Sequence, residues 1–370
     1  VRVLVVNAGS SSLKLVLLDA NDQTLAACEL AAPRTAIDGQ ELRGALEDGF
    51  GDADVVGHRI VHGGERFRAA VRIDAKVESE LRELADLAPL HQQKSLAALD
   101  AVTALLPDLP AVGCFDTAYH ATIPPAAATY ALPAEWRERY PIRRYGFHGL
   151  SHGWVARRAP ELLGRDSSGL RIVSCHLGAG ASLCAIADGR SIDTTMGFTP
   201  LEGLVMATRS GSVDPGLLLW LLEHGGQSRS ELADALEHES GLVGLAGTAD
   251  MREVLTRSSA GDGDARLALD VYLHRLRAGI AAMAAALGGL DALVFTGGVG
   301  ERSAAVREQT VDGLRFLGLE ISGPSNADAH ADSDISSPQA TARTLVITAR
   351  EDLQIAREAR AVTDLSVGSP

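Results

Sequence analysis

Val1–Leu18 reads VRVLVVNAGSSSLKLVLL, and Leu170–Ala187 reads LRIVSCHLGAGASLCAIA. Each is an apolar β-run, a Gly/Ser turn and a second apolar run, closed by a polar turn at Asp19–Asp22 and at Asp188-Gly189. Laid on one another, Asn7 falls on His176, Gly9 on Gly178, and Ser12-Leu13 on Ser182-Leu183 after a one-residue shift. The echo returns at about half the chain length, which predicts a duplicated fold of two similar domains. Around it, strand-like Val55–Val61, Ala111–Phe115, Ala292–Thr296 and Arg343–Thr348 alternate with helical stretches Glu78–Leu106, Ala265–Leu287 and Glu351–Ala361. That alternation means α/β architecture. The loop Ser322–Gln339, rich in Ser, Asp and Pro, reads as exposed.

The chain has 370 residues, 46% apolar and 22% charged, enough for two domains with real cores. Its net charge of −14 argues against nucleic acid as a partner, since a phosphate polymer would be repelled. No membrane partner is expected: the longest stretch without polar side chains, Ala278–Leu290, has 13 residues, too few to span a bilayer. The N-terminus turns polar at Asn7 and lacks a signal-peptide core. Cys28, Cys114, Cys175 and Cys184 form no CxxC pair; Cys175 and Cys184 facing one another across the hairpin is the alternative to small buried thiols of a cytoplasmic protein, which are the expectation.

A third glycine turn, Gly297–Glu301 (GGVGE), follows the strand Ala292–Thr296, with a helix expected from Ser303. In such turns backbone N–H groups converge on an anion, and hydroxyls or a lysine complete the site. The first turn carries Gly9, the serines Ser10, Ser11 and Ser12, and Lys14, and Asn7 offers an amide oxygen to a magnesium-bound water. One such loop is as well explained as a tight hairpin; three point to a nucleotide. None is GxxxxGK[ST] or a complete dinucleotide fingerprint, which disfavours P-loop and Rossmann enzymes. Arg59 in GHRIVHGGE, His148 in RRYGFHGLSH and Arg209 in MATRSGSVDPG stand beside glycines, where a guanidinium fork suits a carboxylate or phosphate. Gly149–Gly153 also matches the hydrolase elbow GxSxG around Ser151, with His62-Gly63-Gly64 imitating an oxyanion loop, but no buried strand precedes it. His148 and His152 stand four apart without the glutamate of a zinc motif.

NAGSSSLK, GHRIVHGGE, LAPLH, FDTAYH, YGFHGLSH, HLGAG, TRSG…DPG, FTGGVGE and the closing ED.QIAR run together resemble the acetate kinase (acetokinase) family, in that family's order and over nearly the whole chain. The resemblance implies the fold of the acetate and sugar kinase/heat-shock chaperone/actin superfamily: a duplicated, ribonuclease H-like α/β chain with an interdomain nucleotide cleft. Residues 1–118 with 350–370 would form one lobe. Residues 119–349 would form the other, with the nucleotide segments and the dimer interface of a homodimer. The activity implied is reversible, Mg-ATP-dependent phosphorylation of acetate to acetyl phosphate, with ATP/ADP as co-substrate and Mg2+ or Mn2+ as the ion. A propionate or butyrate kinase and a non-catalytic actin-like ATP switch are the alternatives.

By the same resemblance, Asn7 and Glu351 are the magnesium-site residues, and Lys14, with Ser10 and Ser12 beside it, contacts nucleotide phosphate. His176, Leu177, Gly178, Ala179 and Gly180, then Asp250, Met251 and Arg252, then Gly298, Val299, Gly300, Glu301 and Arg302, form the nucleotide segments. Arg59 is the substrate arginine, His148 and Arg209 the transition-state stabilisers, and Asp116 the catalytic aspartate. Val61, Leu90, Phe147 and Pro200 wall the methyl pocket. Four departures stand out: Ala179 where Asn is usual, Arg302 for Asn, Ser212 for Asp, and Gln92-Gln93 for Asn-Pro, in a chain also shorter before Arg59. A short carboxylic acid is ionised at neutral pH, so the nucleophile needs no strong base and the obstacle is charge repulsion. Asp116 is therefore expected to orient an arginine or a magnesium-bound water rather than shuttle a proton, with hinges near 116–120 and 349–351.

Overall fold

The computed structural model describes all residues except 10–11, 32–36, 88 and 368–370, and the side chains of 86–91 and 365–370 also lie outside it. Two six-stranded sheets carry the chain. The first holds β1 (Val3–Ala8), β2 (Ser12–Leu18), β3 (Thr24–Ala31), β4 (Val55–Ile60), β5 (Val71–Arg72) and β6 (Ala111–Phe115) in the order β3-β2-β1-β4-β6-β5. The second holds β7 (Arg171–Leu177), β8 (Ala181–Ala187), β9 (Arg190–Thr194), β10 (Ala292–Thr296), β11 (Ser333–Asp334) and β12 (Arg343–Val346) in the order β11-β12-β10-β7-β8-β9.

Read from the other end, the second order reproduces the first, and so does the polarity of every pair. β1–β2 and β7–β8 are antiparallel, as are β2–β3 and β8–β9. β1–β4 and β7–β10 are parallel, as are β4–β6 and β10–β12, and the small edge strands β5 and β11 are antiparallel. This is the duplicated actin-like α/β arrangement that the repeated hairpins imply. Register corrects one detail. Asn7 pairs with Lys14 and His176 with Ser182, so Ser182 takes the place of Lys14 rather than of Ser12.

β1 is buried on both faces because its neighbours and helices cover it, and its run Val3–Val6 has no polar residue to place in water. The terminal helix Glu351–Val367 closes one face of this sheet, setting Ile355, Ala356 and Ala359 among Val3, Val5, Val55 and Val112. Gly57 permits the contact, since a Cβ there would stand 2.7 Å from Ile355 Cγ2. The helix Gly263–Ala286 buries Leu269, Leu273, Leu276 and Ile280 in the core of the second sheet.

Three sequence expectations change. The stretch Glu78–Leu106 is a helix Ala75–Glu83, a 3-10 turn Leu84–Leu87 and a second helix Pro89–Leu105. Pro89 opens that second helix, where its missing N–H is not needed, and could not have stood inside a continuous one. The GGVGE turn is itself a short helix, Gly297–Arg302, ahead of Ala304–Asp312. Finally, the segment Ser322–Gln339 is not simply exposed: it holds β11, and its Asn326 is buried against Arg307. Arg307 Nε donates to Asn326 Oδ1 at 2.7 Å, while Nη1 donates to the carbonyls of Gly300 and Glu301. The serine-rich segment thus latches the third glycine turn.

Candidate active site

One cavity of about 210 Å³ lies where the C-terminal ends of the parallel strands of both sheets converge. Ala8, Gly9, Arg59, Val61, Lys94, Asp116, Phe147, His148, His176, Gly180, Pro200, Arg209 and Glu351 line it.

Arg59 is the penultimate residue of β4 and Asp116 follows β6, the neighbouring parallel strand, so their side chains meet. Arg59 Nη2 donates to Asp116 Oδ2 at 2.6 Å and Nε donates to the same oxygen at 3.1 Å, a two-pronged pair. Arg59 Nη1 donates to Asn7 Oδ1 at 3.1 Å, and Asn7 Nδ2 donates to Glu351 Oε2 at 2.9 Å. Burial works against the Arg59 charge, but Asp116 and Glu351 outweigh it and hold the guanidinium ionised. Burial pushes Asp116 upward, with Arg59 pulling the other way. The expected partner of Asp116 is therefore an arginine.

Across the cavity, Arg209 Nη1 donates to the Pro200 carbonyl at 3.0 Å and Nε stands 3.5 Å from Glu237 Oε2. His148 caps the helix Gly149–Leu163 with φ +56°, a left-handed backbone uncommon outside glycine. Gly149 N donates to the Asp116 carbonyl at 2.9 Å, and a Cβ on Gly149 would collide with that oxygen. Burial, then His176, Arg59, His152 and Arg209, drive the His148 pKa well below its ordinary value, so its imidazole is neutral. His176 stacks on it at 4.3 Å, also with a lowered pKa through burial. Gly180 leaves open the space where His148 and Arg209 converge: a Cβ there would lie 3.3 Å from His148 Nε2 and 3.6 Å from Arg209 Nη2.

Magnesium needs hard oxygen donors, one or two carboxylates sharing the ion with phosphates and water. The lining carboxylates Glu351 and Asp116, with the Asn7 amide against Glu351, fit that requirement. Glu351 is held below the usual carboxylate range: burial raises it, and Arg59, His176, Asn7 and Lys14 overcome that.

Not every expected residue lines this cavity. Lys14 and Ser12 face Glu29 on β3, Ser12 Oγ donating to its Oε1 at 2.6 Å and Lys14 Nζ standing 3.9 Å from it. Ser10 and the Leu90 side chain lie outside the described residues. Asp250 caps the helix Met251–Ser259 and pairs with Arg252 at 2.6 Å, with Met251 buried beneath. Leu177 is fully buried, so only its backbone can meet a ligand. Gly298–Arg302 begin at the end of β10, beside β7. There Glu301 Oε1 accepts from Gly297 N and Ala349 N, tying the third turn to the start of the terminal helix.

The departures find local partners. Ser212 Oγ accepts from Gly203 N at 3.1 Å. Gln92 bridges His62, accepting from its N–H and donating to its carbonyl, which steadies the chain after Arg59. Ala179 gives its carbonyl to Ala207 N, and Arg302 is exposed. Ala8 and Lys94 line the cavity outside the expected set; for Lys94 the signal in the sequence is a basic side chain one turn beyond LAPLH.

The two decoys fall. Ser151 is buried in a helix with its Oγ on His176 Nδ1 at 2.8 Å, and Gly64 N donates to His62 Nδ1 rather than to an oxyanion. Both ring nitrogens of His152 bond serines, leaving none for a metal.

The Acetokinase family model matches residues 42–357. A curated acetate kinase of Nostoc punctiforme is 50% identical over 311 residues, covering 84% of this chain and 76% of that protein. One from Desulfitobacterium hafniense is 42% identical, covering 96% and 97%. Among solved structures, the Porphyromonas gingivalis acetate kinase superposes with a TM-score of 0.89 at 35% identity, covering 98% of this chain and 99% of that one. A propionate kinase of Francisella tularensis gives 0.90 at 34%, with the same coverage. With its duplicated sheets, its shared cavity and these similarities, the chain belongs to the acetokinase family.

Proposed function

We propose that this protein phosphorylates acetate reversibly at the expense of ATP, by direct in-line transfer of the γ-phosphoryl group to a carboxylate oxygen. The convergence of Arg59, Arg209 and a neutral His148 on one cavity walled by Val61, Phe147 and Pro200 carries this reading. Acetate is one methyl and one carboxylate: the apolar wall takes the first, and the guanidinium groups take the second. Arg59 is oriented by Asp116 and Asn7, so its geometry is set before substrate arrives. Arg209 and His148 reach the space over Gly180, where they would donate to the equatorial oxygens of the moving phosphoryl group. Magnesium, held by Glu351 with Asn7 orienting it, would neutralise charge on the phosphates. The nucleotide would lie along His176–Gly180, Asp250–Arg252 and Gly298–Arg302, with Lys14 at the phosphate end.

Hydroxamate trapping of acyl phosphate from ATP, Mg2+ and a panel of acetate, propionate and butyrate tests the assignment. The highest kcat/KM is expected with acetate, because the relatives at 42–50% identity are acetate kinases. A propionate optimum would move the reading to the activity named for the Francisella structure, and no acyl phosphate with any acid would overturn it. Arg209→Ala should lower kcat by ~10³-fold or more, as loss of a transition-state arginine does.

We further propose a homodimer in the cytosol. Support comes from the helix Pro215–His224, none of whose residues is buried, which with Val213 exposes Leu217, Leu219 and Trp220. Light scattering should report twice the chain mass, and Leu219→Asp with Trp220→Asp should halve it. The four cysteines are free thiols, in keeping with a reducing compartment.

A further inference from the structure

His148 meets the cavity with one ring nitrogen and the protein interior with the other. Its Nδ1 lies 2.9 Å from Ser182 Oγ. That hydroxyl lies 2.9 Å from His152 Nε2, and His152 Nδ1 lies 2.9 Å from Ser174 Oγ. Ser182, His152 and Ser174 are fully buried, away from bulk solvent. The chain crosses from β8 to the helix Gly149–Leu163 and back to β7, which makes it a property of the fold rather than of one loop.

A neutral imidazole has one donor and one acceptor nitrogen, and a hydroxyl has one hydrogen. Four groups in series therefore have two consistent polarities. In one, Ser174 donates to His152 Nδ1, His152 Nε2 donates to Ser182, and Ser182 donates to His148 Nδ1. That leaves the His148 proton on Nε2. In the other, every bond is reversed and Nε2 presents a lone pair to the cavity. Nε2 is the atom beside the open space over Gly180, the space Arg209 Nη2 also approaches. A lone pair there would repel phosphoryl oxygens, whereas an N–H would bind them.

We propose that Ser182, His152 and Ser174 are positioning residues that lock His148 in the Nε2–H tautomer, making it a neutral hydrogen-bond donor to the transferring phosphoryl group. The inference rests on the phosphoryl-transfer reading above. It gives buried His152, both of whose ring nitrogens bond serines, a role: His152 acts through His148. A second pair runs alongside, with Ser151 Oγ on His176 Nδ1 at 2.8 Å.

The test compares Ser182→Thr with Ser182→Val, two side chains of one shape that differ in the hydroxyl. The threonine variant should keep kcat within about threefold of the parent, and the valine variant should lose ~10–100-fold, less than the ~10²–10³-fold for removing an oriented donor outright, because the imidazole itself remains. KM for acetate and for ATP should move less than about threefold in both, because the bond matters in the transition state. Imidazole 15N NMR of the whole protein with ADP, Mg2+ and acetate should show His148 protonated at Nε2, and the Nδ1–H form should gain population in Ser182→Val. Equal kcat in the two variants, or an Nδ1–H His148 in the parent complex, overturns the proposal. Should either variant fail to fold, Ser174→Ala at the far end of the chain and the parent NMR spectrum still decide it. An inactive parent protein would instead remove the phosphoryl-transfer reading, so the two failures are distinguishable.

Discussion

Gly180→Ala is a small change with a large expected effect. Gly180 is not in the left-handed region, so alanine can take its backbone without strain. The added Cβ would stand 3.3 Å from both Cε1 and Nε2 of His148, where carbon contacts favour about 3.5–4.0 Å. His148 has little room to retreat. Its Nδ1 is tied to Ser182, its ring stacks on His176 at 4.3 Å, and its backbone is fixed at the helix cap. The imidazole must move by a few tenths of an ångström, and the methyl group enters the space proposed for phosphoryl oxygens. A misplacement of about 1 Å near the chemistry costs ~10²-fold, so kcat should fall by ~10–100-fold. Stability to urea should hardly change, because the cavity is open there. Acyl phosphate formation followed by hydroxamate, beside a urea titration of the same preparation, makes the measurement. A kcat within twofold of the parent would refute the convergence of His148 and Arg209 on that space.

Asp116→Asn should destabilise the protein by about 3–5 kcal/mol in urea, the range for breaking a buried pair and leaving Arg59 under-compensated; no loss would mean Arg59 finds another partner. Burial lowers the pKa of His58 to about 3, His62 to about 4 and His120 to about 4, so between pH 6.5 and 4 the unfolded chain binds more protons than the native one. Stability should therefore be full above pH 6.5 and fall on acidification, by about 4 kcal/mol per pH unit for the three together. Urea midpoints that stay flat from pH 6.5 to 5 would contradict this. Lys94→Met should raise KM for acetate about tenfold with kcat little changed, and Lys94→Arg should restore it. An unaltered KM would place Lys94 outside the acceptor's reach.

Much of this was legible in the sequence, for identifiable reasons. The two hairpins could be read because strict apolar runs broken by Gly and Ser have few other meanings, and their repetition fixed the duplication. Arg59, Asp116, His148 and Arg209 could be placed together through the family resemblance, although 150 positions separate Arg59 from Arg209. What composition hid was contact between distant polar groups. The segment Ser322–Gln339 looks like solvent-facing chain until Asn326 is seen holding Arg307. His152 and Ser182 lie 30 positions apart, and nothing in either neighbourhood announces their bond. Lys94 sits on a helix without glycine, so the glycine density that marks Arg59 and Arg209 does not mark it.

The terminal helix has a consequence for how such a chain comes into being. Glu351–Val367 supplies Ile355, Ala356 and Ala359 to a sheet whose first strand is Val3–Ala8, so that strand waits for residues made long after it. On the ribosome the second sheet can assemble while the first still exposes one oily flank, and Glu351, the carboxylate proposed for the ion, emerges only after the strands of both sheets. On that proposal chemistry is withheld from unfinished copies: a nascent polypeptide interrupted before residue 351 would lack both its lid of aliphatic side chains and the carboxylate proposed to hold the ion.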